Sequence, residues 1–164
     1  MTIRFGILTV SDRSARGERE DASGPVLARL VEEYAWKVSR RSVLPDNESA
    51  IRELLIAWAD GGELDVVLTT GGTGFSPRDV TPEATRVVIE REAPGLAEAM
   101  RAASLRVTPH AMLSRVVAGI RKKTIIINLP GSPKGAAENL LVVIPVLPHA
   151  VQLLREDPAS ESTH

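Results

Sequence analysis

Asp65-Val-Val-Leu-Thr-Thr-Gly-Gly-Thr-Gly74 is the stretch whose reading decides the fold. After Asp65 the run is continuously apolar or β-branched, without polar alternation, which marks a strand covered on both faces as in a parallel sheet. It passes directly into Gly71-Gly72-Thr73-Gly74, where backbone amides can converge on an anion because no Cβ intervenes. Thr81-Pro82-Glu83 then opens a helix, with a capping hydroxyl, proline at the first helical position and an acid in the first turn. The glycine run reads both as a tight turn and as an anion loop. It is neither a Walker A motif nor a GxGxxG fingerprint.

Outward from this unit the same alternation repeats. Residues 4–10 predict a strand, and the charged stretch 11–23 a long loop. Val26, Leu27, Leu30, Val31 and Tyr34 recur at helical spacing behind Ser23 as N-cap, with Pro25 in the first turn. Residues 38–44 return to extended character and stop at Pro45-Asp46-Asn47. Ile51, Leu54, Leu55 and Trp58 then mark a helix capped by Asp46 or Asn47 and closed by Gly61-Gly62. Residues 96–107 predict a helix, 114–119 a short extended piece and 124–129 a second buried strand, ending at Pro130-Gly131-Ser132-Pro133 and a capped helix start. The last helical region carries Leu140, Leu141 and Ile144, is interrupted by Pro145 and Pro148, and resumes through Val151 and Leu154. Residues 1–156 are expected to form one domain and 157–164 a flexible tail. The expected class is α/β: a three-layer α/β/α sandwich on a mostly parallel sheet, with right-handed crossovers and helices on both faces.

Composition narrows the function. The chain has 164 residues, 43% hydrophobic and 25% charged, a globular balance for a single domain. Twenty basic residues against 21 acidic ones leave a net charge of -1, and five scattered aromatics offer no row of stacking platforms, so nucleic acid is not expected as a partner. There is no cysteine, which excludes disulfides, thiolate metal sites and a cysteine nucleophile, and the three histidines match no zinc spacing. The apolar run at the N-terminus is cut short by Asp12 and Arg13, too soon for a signal peptide or a membrane span, so a cytoplasmic protein is expected.

In an open α/β sheet the ligand crevice lies outside the carboxyl ends of the strands. Those ends deliver Ser11, Asp12 and Arg13; Pro45 and Asp46; Thr70, Gly71, Gly72, Thr73 and Gly74, then Arg78 and Asp79; and Pro130, Gly131, Ser132 and Lys134. Asp46 and Asp79 are placed to share one Mg²⁺ between phosphate oxygens, since hard cations take oxygen ligands. Equally, Asp46 reads as an N-cap, Asp79 as an Asx-turn, and the Ser132 segment as a plain capped helix start. Arg13, Arg78 and Arg115 suit bidentate phosphate contacts, although with 16 arginines in the chain any one of them also reads as a solvated charge. Trp58 and Met100 read as core. His110 and His149, beside prolines, read as structural or as subunit contacts.

The segment 69–85, Thr-Thr-Gly-Gly-Thr-Gly-Phe-Ser-Pro-Arg-Asp-Val-Thr-Pro-Glu-Ala-Thr, is far more specific than a glycine loop. With Leu8-Thr-Val-Ser-Asp-Arg13, Leu44-Pro-Asp46, Arg91-Glu-Ala-Pro-Gly95, Leu113-Ser-Arg115, Asn128-Leu-Pro-Gly-Ser132 and Leu147-Pro-His-Ala150, it resembles the molybdopterin adenylyltransferase family of the MogA type, itself similar to the G domain of gephyrin. The resemblance implies the three-layer α/β fold, a homotrimer, and Mg²⁺- and ATP-dependent adenylylation of the terminal phosphate of molybdopterin with release of pyrophosphate. It also implies hand-over of the product to a molybdenum insertase. By position it implies functional aspartates at Asp46 and Asp79, and substrate and nucleotide loops at 11–13, 70–74, Ser114 and 131–134; Arg78, Arg115 and Pro130 are counted with the binding residues. The retained Arg78-Asp79-Val80-Thr81-Pro82 favours the MogA type over the related MoaB type. A MoaB-like paralogue and a non-catalytic molybdopterin-binding scaffold are the alternative readings.

Overall fold

The computed structural model describes residues 1–163; His164 lies outside the described residues. Six strands form one sheet: β1 (Arg4–Val10), β2 (Lys37–Leu44), β3 (Val66–Thr70), β4 (Arg91–Glu92), β5 (Ala118–Arg121) and β6 (Thr124–Leu129), in the order β2-β1-β3-β6-β5-β4. The first four in that order are mutually parallel, while β5 and β4 run antiparallel to their neighbours. The expected parallel sheet is therefore present, with an antiparallel margin. The predicted extended piece at 114–119 falls instead on β5, which begins four residues later, and β4 is two exposed residues that carry no apolar signal.

Seven α-helices are described: α1 (Asp12–Ala15), α2 (Ser23–Glu33), α3 (Glu48–Asp60), α4 (Thr81–Val88), α5 (Pro94–Leu105), α6 (Pro133–Val143) and α7 (Leu147–Leu154). Strand side chains alternate between two cores, the period-two consequence of the pleat. Phe5, Ile7, Val66, Leu68, Ile125 and Ile127 face Leu27, Val31, Met100, Leu140 and Val151 on α2, α5, α6 and α7. Leu8, Val10, Val67 and Ile126 face Ile51, Leu55, Ala84 and Val88 on α3 and α4. The result is the expected α/β/α sandwich.

Helix starts show where local rules were overridden. Asn47, not Asp46, caps α3, its side chain accepting from the Ala50 amide at 3.0 Å. Ser23 is not the cap of α2. Asp21 takes that work, accepting from the Gly24 amide at 3.0 Å. Thr81 is likewise inside α4, because its hydroxyl donates to the Gly71 carbonyl at 3.0 Å and is no longer free to cap. Ser132 caps α6 as expected, accepting from the Gly135 amide at 3.1 Å. The polar stretch after β1 is not wholly a loop: α1 forms there, capped by Ser11.

Pro145 and Pro148 break the C-terminal region into α6, a 3-10 turn (Ile144–Val146) and α7, each proline taking an early position in the next segment. The continuous run Pro133–Leu154 has the length and apolarity of a membrane span, with mean hydropathy 1.5. Ala136, Leu140, Val143, Leu147 and Val151 on it are buried, while Leu141, Val146 and Leu153 are exposed. Of the expected tail, Pro158–Thr163 form a 3-10 helix against α7, with Ser160 buried.

The opposite end of the sheet is tied by a charge cluster. Asp65, nearly inaccessible, accepts from the Arg4 guanidinium at 3.1 Å and from Arg155 at 2.7 Å. Arg155 also donates to the carbonyl of Thr2 at 3.2 Å. Burial pushes the Asp65 carboxyl up, but the two arginines and the Arg4 amide overrule it, leaving it below the ordinary carboxylate value.

Candidate functional site

Register decides where the loops emerge. Val10 lies opposite Leu44, Thr9 opposite Thr70, and Thr70 opposite Leu129, so β2, β1, β3 and β6 end at one level. The chain runs from β1 out to β2 and back past β1 to β3, making the β1/β3 boundary a point where strand order reverses. Crevices form at such points. A cavity of about 350 Å³ opens there, lined by Ser11, Asp46, Thr70, Gly71, Gly72, Asp79, Gly131 and Ser132 among others.

The glycines are required by that packing. Gly71 has φ +101°, and a Cβ on it would stand 2.3 Å from the Val10 carbonyl oxygen; Gly72 has φ +68°, and its Cβ would meet the Thr81 hydroxyl. Both conformations belong to the left-handed region that favours glycine. A hydrogen-bonded chain holds this loop to the core. Thr81 donates to the Gly71 carbonyl, Thr85 donates to the Thr81 carbonyl at 2.8 Å, and the buried Asn128 amide donates to Thr85 and Thr69, each at 2.9 Å. The Asn128 carbonyl oxygen accepts from the Val117 amide at 3.1 Å.

The carboxylates sit on the flanks. The Asp46 carboxylate accepts from the Asp12 amide at 3.0 Å, and the Asp12 carboxylate accepts from the Asp46 amide at 2.9 Å. Arg78 closes bidentately on Asp12 at 3.0 Å, holding the Asp12 carboxyl below its usual value. Burial, reinforced by the charges of Asp12 and Asp79, holds the Asp46 carboxyl above its ordinary value, against the Asp12 amide and the Arg78 charge. Asp79 accepts from the amides of Gly74 and Ser76, each at 3.1 Å; both donors precede it in the chain, so its carboxylate closes the loop behind it and does not form the Asx-turn that its position suggested.

The remaining candidates divide. Thr73, Gly74, Ser114, Pro130 and Ser132 line a second cavity of about 310 Å³, with Arg101, His110 and Asn139, so Ser132 borders both spaces. Arg115 lines neither. Its guanidinium is consumed by the Gly74 and Asp79 carbonyls and by Glu83, and it is not turned to a ligand space as the bidentate-phosphate reading expected. Arg13 and Lys134 are exposed, and Lys134 lies 3.9 Å from Glu138 one turn on. Sequence reasoning missed Thr9 and Asp21: Thr9 donates to Asp21 at 2.8 Å, and both line the first cavity. The available signal was an acid two residues ahead of a presumed serine cap.

Among the described residues no group of three or more His, Asp or Glu side chains is arranged to hold a metal ion. Two carboxylates on one cavity, Asp46 and Asp79, nevertheless suit Mg²⁺, which binds through one or two carboxylates and completes its shell with water and substrate phosphates.

Comparison with known proteins places the chain in a family. Over 157 residues the chain is 45% identical to the molybdenum cofactor synthesis protein cinnamon of Drosophila melanogaster, covering 95% of this chain and 26% of that one. It spans a similarly small part, 23%, of the gephyrin of Dictyostelium discoideum, at 43% identity. The molybdopterin adenylyltransferase of Helicobacter pylori strain J99 is 43% identical over 93% of this chain and 88% of its own length. Among solved structures, the molybdopterin biosynthesis enzyme MoaB of Thermus thermophilus superposes with TM-score 0.89 at 52% identity, covering 96% of this chain and 99% of that one; a MogA structure gives 0.87 at 40%, covering 92% and 99%. Residues 6–149, from β1 through the start of α7 and so including every strand end that borders the crevice, match the family described as the probable molybdopterin binding domain, and the chain belongs to that family.

Proposed function

We propose that the chain binds molybdopterin and ATP and, with Mg²⁺, transfers the adenylyl group to the terminal phosphate of molybdopterin in molybdenum cofactor biosynthesis. The observation that carries the reading is the pair Asp46 and Asp79 on one cavity with the glycine loop and the capped start of α6. Relatives covered over most of their length and named molybdopterin adenylyltransferase support it.

The substrate supplies its own nucleophile. An anionic oxygen of its phosphate attacks the α-phosphorus of ATP, a P–O bond forms, the bond to the β-phosphate oxygen breaks, and pyrophosphate leaves with its electron pair. No protein base is needed, because the attacking oxygen is already deprotonated. What the protein must do is align two anions and offset their repulsion. The Gly71 and Gly74 amides are held by the Leu129 carbonyl and the Asp79 carboxylate, which leaves those of Gly72 and Thr73, with those at the α6 start, as donors to phosphate oxygens. Asp46 and Asp79 would hold Mg²⁺, which when bound neutralises phosphate charge. The raised Asp46 carboxyl fits a group whose charge is completed by a cation. A homotrimer, a cytoplasmic location and hand-over of the product to a molybdenum insertase belong to the same proposal.

A second reading has its own observation, the 52% identity to the Thermus thermophilus MoaB structure. A MoaB-like paralogue would hydrolyse ATP without transfer. The deciding experiment incubates the pure protein with molybdopterin, ATP and Mg²⁺ and follows adenylylated pterin by mass spectrometry together with pyrophosphate. Adenylylated product from wild type, and a loss of about 10²-fold or more in Asp79→Asn with the fold intact, is the expected result. Pterin binding without product overturns the transferase reading.

A further inference from the structure

We infer that Arg115 is a positioning residue whose task is to fix the loop that presents Asp79. The inference rests on the proposed role of Asp79 and goes beyond it, because Arg115 itself borders neither cavity.

The loop 73–79 is held from two sides. Inside, one oxygen of the Asp79 carboxylate accepts from the amides of Gly74 and Ser76, and the Asp79 amide donates to the Ser76 carbonyl at 2.9 Å. Outside, the Arg115 amide donates to the Thr73 carbonyl at 2.9 Å, its Nε to the Gly74 carbonyl at 2.8 Å and its Nη2 to the Asp79 carbonyl at 2.8 Å. Gly74 therefore has its N–H on the carboxylate and its C=O on the guanidinium. Both ends of the turn are clamped by one planar group that cannot lose its charge.

The clamp is itself braced. Glu83, in the first turn of α4, accepts from Nη1 at 2.7 Å and from Nη2 at 3.2 Å, and the guanidinium holds the Glu83 carboxyl below its usual value. On the other side, the Arg101 guanidinium donates to the carbonyls of Ser114 and Val116, the residues on either side of Arg115. Gly74 has no Cβ to restrain its torsions, and Phe75, Ser76, Pro77 and Arg78 are all exposed, so packing does little to hold this loop. The guanidinium supplies what packing does not. Lysine is a poor substitute, because one ammonium cannot meet two carbonyls and a carboxylate in a plane.

The test compares wild type with Arg115→Met, Arg115→Lys and Glu83→Gln, and uses Arg121→Met as control. Arg121 spans Asp60 and the Val88 carbonyl with the same kind of contacts, away from the crevice. Residue-resolved hydrogen exchange reads the loop directly, and steady-state kinetics reads its use. Arg115→Met is expected to speed exchange at the Gly74 and Ser76 amides by about tenfold, leaving β3 and α4 amides unchanged. It is also expected to lower kcat by about 10²-fold, with KM for ATP within about threefold. Arg115→Lys should recover part of both effects, Glu83→Gln should show a smaller version of each, and Arg121→Met should show neither. Unchanged exchange at Gly74 and Ser76, exchange raised throughout the chain, or a loss confined to KM would overturn the assignment. If wild type transfers no adenylyl group, the proposed function fails, while the exchange comparison still decides what Arg115 does to the loop.

Discussion

Asp12 and Asp46 each accept the other's backbone amide on their own carboxylate, at 3.0 and 2.9 Å, a reciprocal pairing that ties the loop after β1 to the loop after β2. Two like charges are held together by amides, with Arg78 neutralising one and burial working against the other. The arrangement stores an electrostatic cost at the crevice.

That cost predicts a pH-dependent stability difference. The Asp46 carboxyl is raised in the folded state, so its contribution is favourable below its ordinary value, where it is protonated, and is lost as pH rises through the folded value. Asp46→Asn keeps an oxygen acceptor for the Asp12 amide and removes the charge. It should raise Tm at pH 7 by on the order of 2 °C, while the difference shrinks as pH falls through the raised folded value and is gone below about 4. Calorimetry at the two pH values checks this. Lost transferase activity is expected to accompany the gain, as for other strained functional sites.

Asp65 predicts the opposite sign. Its carboxyl lies below the ordinary value, so its contribution is present above that value and is lost as pH falls through the depressed one. Asp65→Asn should cost about 2 kcal/mol at neutral pH, less than the ~3–5 kcal/mol of a fully buried pair because Arg4 and Arg155 keep some access to solvent. As pH falls through the depressed value the variant and wild type should converge. Denaturant titrations at both pH values measure it.

Two glycines of positive φ separate strain from contact. Gly62 has φ +73° with no atom within 4 Å of an added Cβ, whereas Gly71 has φ +101° and the Val10 carbonyl in the way. Gly62→Ala should lose about 1 kcal/mol. Gly71→Ala should lose about 3 kcal/mol or more, since the backbone of β1 must move. Equal losses in urea unfolding would contradict the close approach of β1 and the loop.

Asn128→Leu removes the hub of the buried network. It strands the Val117 amide and the hydroxyl partners at Thr69 and Thr85, at a cost of about 2–4 kcal/mol. Because the chain of bonds continues through Thr81 to Gly71, activity at a temperature where the variant is folded should fall as well. Circular dichroism against a turnover assay separates the two.

The buried strands and most helices were legible because continuous apolar runs and 3.6-residue spacing survive in any tertiary setting. What escaped depended on partners distant in sequence. Thr81 reads as a cap until Gly71, ten residues earlier, takes its hydroxyl. Arg115 reads as one charge among 16 arginines, and only the folded loop brings Gly74, Asp79 and Glu83 to it. β4 has two exposed residues and exists through pairing with β5 alone. Asp46 and Asp79 were legible as acids at strand ends, a rule of topology. Asp21 escaped because the serine beside it satisfied the local pattern first.

The contact of Arg155 with Thr2 has a consequence for larger architectures. A unit in which a residue just before its first strand touches the end of its last α-helix, away from its crevice, suits insertion into a host chain, because both segments lie on the same side. Relatives in which the matching stretch makes up 26% and 23% of the whole fit such modular use. Both segments of this chain lie at the sheet's amino-terminal rim, beside Arg4 and Asp65, on the side away from the mouth of the crevice.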